Sequence, residues 1–102
     1  MQIIYNVTTA VNHQVNEAWL QWMKDIHIPE VLGTGCFVKH QLVKILDTDE
    51  SEGFTYAVQY YAESQAKYDE YISYYANDFR KAITVLWGEN VLSFRTLMAV
   101  LA

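Results

Sequence analysis

Apolar and polar residues alternate from Ile3 to Val11, with Ile3, Tyr5, Val7, Thr9 and Val11 on one face and Ile4, Asn6, Thr8 and Ala10 on the other. A period of two predicts a strand. From Asn12, a good helix N-cap, the period changes. Val15, Trp19, Trp22 and Ile26 recur at spacings of four, three and four, flanked by Ala18 and Met23, the apolar stripe of a half-buried helix. Pro29 lacks an N–H and pushes Ile28 toward extended backbone, so this helix is expected to end near His27. Gly33 and Gly35 then allow a turn, and Cys36 to Leu46 reads as a second strand, rich in β-branched and apolar residues.

Asp47 to Gly53 is polar and acidic between two apolar runs, which predicts a hairpin connection. A third strand follows from Phe54 to Ala62, with Phe54, Tyr56, Val58, Tyr60 and Ala62 sharing a face. Ser64 can cap a second helix, whose stripe is Tyr68, Tyr71, Ile72, Tyr75 and Phe79. Asn77-Asp78 is a candidate break before Phe79 to Trp87, and Gly88 is a natural stop. Val91 to Leu101 alternates again, as a fourth strand. The order β, α, β, β, α, β is the split arrangement of α+β, ferredoxin-like folds. Its right-handed crossovers put both helices on one face of a four-stranded antiparallel sheet.

With Tyr5, Tyr56 and Phe94 toward the helices, the open face would carry Ile4, Asn6, Thr8, Ala57, Gln59, Tyr61, Arg95 and Leu97. That mixture is too apolar to stand alone in water and too polar for a dry core. A second copy laid sheet to sheet would cover it, so a homodimer is expected, closing a dimeric α/β barrel. Composition strengthens this expectation: 102 residues suit one domain, yet 52% are hydrophobic and 15% aromatic, more than one small core absorbs. Net charge is −5, with only seven scattered Lys and Arg, so neither nucleic acid nor an anionic membrane is an expected partner. The start lacks the features of a signal peptide, no run is long enough to span a bilayer, and the lone Cys36 has no partner within the chain. A cytoplasmic protein is the expectation.

Tyr5-Asn6-Val7, Trp19-Leu20-x-Trp22-Met23 running into His27-Ile28-Pro29-Glu30, Thr34-Gly35-Cys36-Phe37, Thr55 to Tyr61 and Phe94-Arg95-Thr96-Leu97 together resemble a bacterial family designated domain of unknown function 4286. The resemblance covers nearly the whole chain. It implies membership of the dimeric α/β-barrel superfamily, which includes cofactor-independent monooxygenases of antibiotic-biosynthesis type, muconolactone isomerase-like enzymes and stress-responsive barrels. Monooxygenase-like relatives often carry a histidine on the second helix. Here Tyr71 stands near that place and the helix has no histidine, while fold alone does not transfer chemistry.

Among candidate residues, His27 has two readings: a group satisfying the last carbonyls of its helix, or a general base at the mouth of a cavity. Glu30 could hydrogen-bond it or face solvent. His40 reads as a sheet residue, His13 as solvated, and the three histidines lack metal-ligand spacing. Asp47-x-Asp49-x-Ser51 has its glycine one place late for a calcium loop, and Val58 stands where the bidentate Glu should be. No phosphate-binding loop, Cys-x-x-Cys or His-Glu-x-x-His is present, so no cofactor or metal is implied. Cys36 reads as a buried structural thiol.

Trp19, Trp22, Tyr68, Tyr71, Tyr75 and Phe79 belong mostly to a core, but a gap lined by such rings would accept an apolar or aromatic molecule. The leading expectation is a small homodimer binding such a molecule between helices and sheet, with Trp19, Trp22 and Tyr71 as lining. A cofactor-independent oxygenase or isomerase would use His27 as base and Tyr61 or Arg95 to stabilise negative charge. A third reading is a structural or interaction module in which all these residues pack.

Overall fold

A computed structural model describes all of residues 1–102. Strand β1 (Ile3–Asn12) leads into a 3-10 turn (His13–Val15), then α1 (Asn16–Trp22), a π turn (Met23–His27) and α2 (Ile28–Gly33). β2 (Lys39–Lys44) and β3 (Gly53–Ala62) form the hairpin. α3 (Gln65–Tyr74), α4 (Ala76–Trp87) and β4 (Val91–Ala99) complete the chain. The sheet order is β2-β3-β1-β4 and every neighbouring pair is antiparallel, the ferredoxin-like arrangement.

The local signals act where the chemistry places them. Asn12 Oδ1 accepts from the Gln14 N–H at 2.9 Å, and Ser64 Oγ accepts from the Lys67 N–H at 3.2 Å, each satisfying a donor that a helix start leaves free. Gly88 ends α4 at φ 52°, ψ −128°, a backbone conformation essentially reserved for glycine. Gly53 passes so close to β1 that a Cβ there would overlap the Val11 carbonyl, which ties the hairpin to the central strand.

Pro29 does not end the first helix. The chain widens into the π turn, in which the Ile28 N–H reaches back five residues to the Met23 carbonyl. Pro29 then occupies the first turn of α2, where its missing N–H costs nothing. The wider turn moves a carbonyl away from the pyrrolidine ring and inserts one extra residue into the helical repeat. That insertion rotates the downstream face. Ile26, expected on the stripe, is exposed, while His27, Ile28 and Val31 are buried. His27 is therefore a mid-helix residue rather than a C-terminal cap.

Three further expectations are corrected. β2 begins at Lys39 rather than Cys36. Consecutive Cys36 and Phe37 are both buried, whereas a strand would send neighbours to opposite faces. The second-helix break falls at Tyr75, whose φ is −126°, ahead of Asn77-Asp78, so Ala76 is buried and Tyr75 is not. β4 takes the opposite facing from that expected. Arg95 lies opposite Val7 and Leu97 opposite Tyr5, on the helix side, while Phe94 lies opposite Thr8 on the open side.

The core sits between the sheet and the helices. Its centre is a group of rings: Tyr5 stacks against Phe37 and Tyr60 at centroid distances of 6.0 and 6.2 Å, and Phe37 meets Tyr71 edge-on at 4.9 Å. The Cys36 thiol is buried, donates to Glu70 Oε2 at 3.2 Å, and is held above the usual thiol range first of all by that burial. It is a packing residue with little thiolate character.

Candidate functional site

A narrow cavity opens between the helix side of the sheet and α4. Its floor comes from Tyr5, Val7 and Thr9 of β1, Val58 and Tyr60 of β3, and Ser93 and Arg95 of β4. Trp19, Met23 and His27 form one wall, and Tyr71, Phe79, Arg80 and Ile83 the other. Its free volume of about 30 Å³ is room for about two water molecules. Thr9 and Ser93 close part of the floor through a 2.8 Å hydrogen bond between their hydroxyls.

The polar chemistry concentrates at Tyr5. Arg80 Nη2 donates to Tyr5 Oη at 3.2 Å, and Arg95 Nε donates to the same oxygen at 3.0 Å. Neither guanidinium has a carboxylate partner. The ion pairs of the chain lie elsewhere, Lys44 with Glu50 at 3.0 Å and Lys67 with Glu70 at 3.6 Å. Tyr60 is 2% exposed and its hydroxyl has no hydrogen-bond partner, and Arg80 Nε is buried and unpartnered too. Burial is the leading cause that holds the Tyr60, Tyr71 and Tyr68 phenols above the ordinary tyrosine range, with neighbouring tyrosines adding to it. These three phenols are therefore neutral at pH 7, and Tyr60 offers an unused donor.

His27 faces this cavity from the π turn. Its ring stacks on Trp22 at 4.8 Å and meets the edge of Phe79 at 5.5 Å. Desolvation pushes its pKa down to about 4, so the imidazole is neutral at pH 7, able to accept or donate a hydrogen bond. The extra residue of the π turn is what aims it inward.

Of the residues singled out in the sequence, His27, Trp19, Tyr71 and Arg95 line the cavity together. Trp22 stands one layer behind, between His27 and Trp87, whose ring it meets at 5.7 Å. Tyr61 pairs with Ile4 and Lys39 on the open face of the sheet, where the Lys39 ammonium lies 4.4 Å from its ring centre. It shares no site with His27. His13 is exposed, with Nε2 2.7 Å from the Glu50 carbonyl, and His40 is exposed on β2.

Tyr5, Tyr60 and Arg80 were not singled out as site residues. For Arg80 a signal existed: Ala76, Arg80, Ile83 and Trp87 recur at spacings of four, three and four, so a guanidinium stands on the inward stripe of α4. A charge in such a place requires an acceptor inside.

Several proteins of known structure share this fold. A dimeric ferredoxin-like protein from an uncultured marine organism superposes with a TM-score of 0.75 at 14% identity, covering 99% of this chain and 96% of its own. An ethyl tert-butyl ether D (EthD) family protein from Bacillus halodurans gives a TM-score of 0.72 at 9% identity, covering 97% of this chain and 99% of its own. SnoaB, a cofactor-independent oxygenase from Streptomyces nogalater, gives 0.60 at 12%, covering 96% and 92%. At such identities the likeness is one of fold. No curated protein matches in sequence. The family pattern, by contrast, matches residues 2–101, and the chain belongs to the family described as Domain of unknown function (DUF4286).

Proposed function

We propose that this chain is a small-molecule-binding protein that works as a homodimer, taking its ligand into the cavity between β1, β4 and α4. One observation carries the reading: two guanidinium groups converge on a single phenol in a ring-lined cavity that holds no acid to neutralise them. Arg80 is only partly exposed, with a buried and unpartnered Nε, and a partly desolvated charge without an acid costs stability that an apolar side chain would not, whereas Arg95 is exposed on β4. An aromatic guest exceeds the present volume, so its binding requires α4 to move outward. α4 is the element suited to do so, since the break at Tyr75 separates it from α3 and Val85 and Leu86 on its far side are exposed.

The dimer reading is supported by the open sheet face, where Leu92 and Phe94 are 75% and 62% exposed, and by the dimeric marine protein of the same fold. Native mass spectrometry tests both parts. A dimer that carries extra mass supports the reading, and a monomer at working concentration overturns its assembly half. Titration followed by tryptophan fluorescence tests the cavity, because Trp19 lines it and Trp22 and Trp87 meet behind it. Absence of any saturable response across a broad small-molecule panel would return these residues to packing.

A second reading, a cofactor-independent enzyme of oxygenase or isomerase type, is favoured by the neutral His27 ring lining the same cavity as Arg95. His27 would take a proton from an activated phenol or enol and Arg95 would stabilise the resulting anion. Tyr61, on the other face, has no part in it. Loss of turnover in His27→Gln with the fold intact would support this reading, and unchanged turnover would remove it.

A further inference from the structure

We infer that the corner of the cavity where Arg80 and Arg95 converge on Tyr5 binds the anionic oxygens of a small carboxylate, whose carbon body lies against Tyr71 and Phe79. The inference rests on the cavity being a ligand site, as proposed above, and specifies what the ligand carries.

The argument is one of donors and acceptors. A phenol oxygen has two lone pairs, and Tyr5 Oη already receives one N–H from Arg80 and one from Arg95. It can accept nothing more. Arg80 Nε remains buried without a partner, although buried polar groups are almost always satisfied. The unmet group beside these two guanidiniums is therefore an N–H donor, and both residues that bracket the corner are cationic. A ligand group that only accepts, and carries negative charge, meets both conditions. A carboxylate also fits the planar fork of a guanidinium.

The surroundings narrow the class. Val7, Val58, Ile83 and Met23 wall the cavity, which suits a hydrocarbon or aromatic body and disfavours a phosphate, whose two charges would need more donors than this corner presents. A cationic ligand would face two guanidiniums with no carboxylate between them. The free volume of about 30 Å³ admits a carboxylate head as it stands, and α4 must yield for a ring to follow.

The test compares benzoate with benzamide, a neutral molecule of the same shape, by calorimetric and fluorescence titration of the full chain at fixed ionic strength. Benzoate is expected to bind about tenfold or more tightly than benzamide, in line with hydrogen bonds to a charged acceptor. Arg80→Gln and Arg95→Gln should each weaken benzoate by about tenfold and leave benzamide unchanged. Arg95→Lys, which keeps the charge but not the fork, should fall between wild type and Arg95→Gln. Tyr5→Phe should tighten benzoate, because the internal acceptor that competes for both guanidiniums is gone.

Equal binding of benzoate and benzamide would overturn the anion assignment while leaving the cavity as a ligand site. Failure of both to bind wild-type protein, together with silence across a broad neutral panel, would overturn the cavity reading itself. Benzoate binding that ignores every arginine substitution would place the anion elsewhere on the surface.

Discussion

The two faces of the central strand are built on opposite terms. On the helix side Tyr5, Val7 and Thr9 meet rings, apolar side chains and two guanidiniums that lack acids. On the other side Asn6 and Thr8 hydrogen-bond to each other at 3.0 Å, beside Gln59 and Ala57, and Phe94 projects from the neighbouring strand. On the open face Asn6 and Thr8 satisfy each other, and apolar surface is left exposed at Leu92 and Phe94. On the helix side two guanidiniums share one phenol oxygen and no carboxylate, and Arg80 Nε is left without an acceptor. Alternation along a single strand thus separates a surface suited to assembly from a site suited to a ligand, with β1 as their common wall.

Substitutions that strike one face and spare the other break or sharpen this contrast. The largest effect is expected from Trp19→Ala, which empties a 2% exposed position stacked on Tyr56 at 5.2 Å. It should cost roughly 3–5 kcal/mol in urea unfolding, and a loss under 1 kcal/mol would show that the helix side is not the core.

Next comes His27. Its pKa is about 4 in the folded chain against an ordinary 6.5, so the unfolded state takes up the proton first as the solution is acidified. This contribution to stability is fully present above about pH 6.5 and is lost as pH falls toward 4, by about 3 kcal/mol in all. His27→Gln should remove that slope from a series of urea melts between pH 4 and 7. A slope that survives in the variant would assign it to other groups.

The open face should answer differently. Phe94→Ser is expected to leave monomer stability within about 0.5 kcal/mol and to weaken dimerisation about tenfold or more by sedimentation, as loss of a central interface aromatic does. An unaltered dimer would move the interface elsewhere. The smallest effect is expected of Tyr60→Phe. Deleting an unpartnered buried hydroxyl should be neutral or stabilising by about 1 kcal/mol in urea unfolding. A clear loss of stability would mean that the hydroxyl already has a partner in solution.

Much of the architecture was legible along the chain. Period-two runs mark β1, β3 and β4, Asn12 and Ser64 act as caps, Gly88 stops α4, and the acidic hairpin loop separates β2 from β3. These follow from interactions within a few residues, and alternation plus capping chemistry reports them directly. The order of elements then leaves few topologies, which is why the ferredoxin-like sheet could be anticipated.

The site needed more. Local rules make Pro29 a stop because an α-helix disfavours it in its interior, yet the helix continues across a π turn with Ile28 and Val31 buried, which brings His27 inward in place of Ile26. Alternation in β4 allowed two facings, and only pairing of Val7 with Arg95 and Thr8 with Phe94 chose between them. Arg80 and Arg95 reach Tyr5 from 75 and 90 residues away along the chain. Local periodicity determined the strands, caps and order of this protein because those depend on neighbours in sequence. Tertiary packing decided which side each side chain faces, because facing is set by the element that lies opposite, and the cavity with its paired arginines exists only once those facings are chosen.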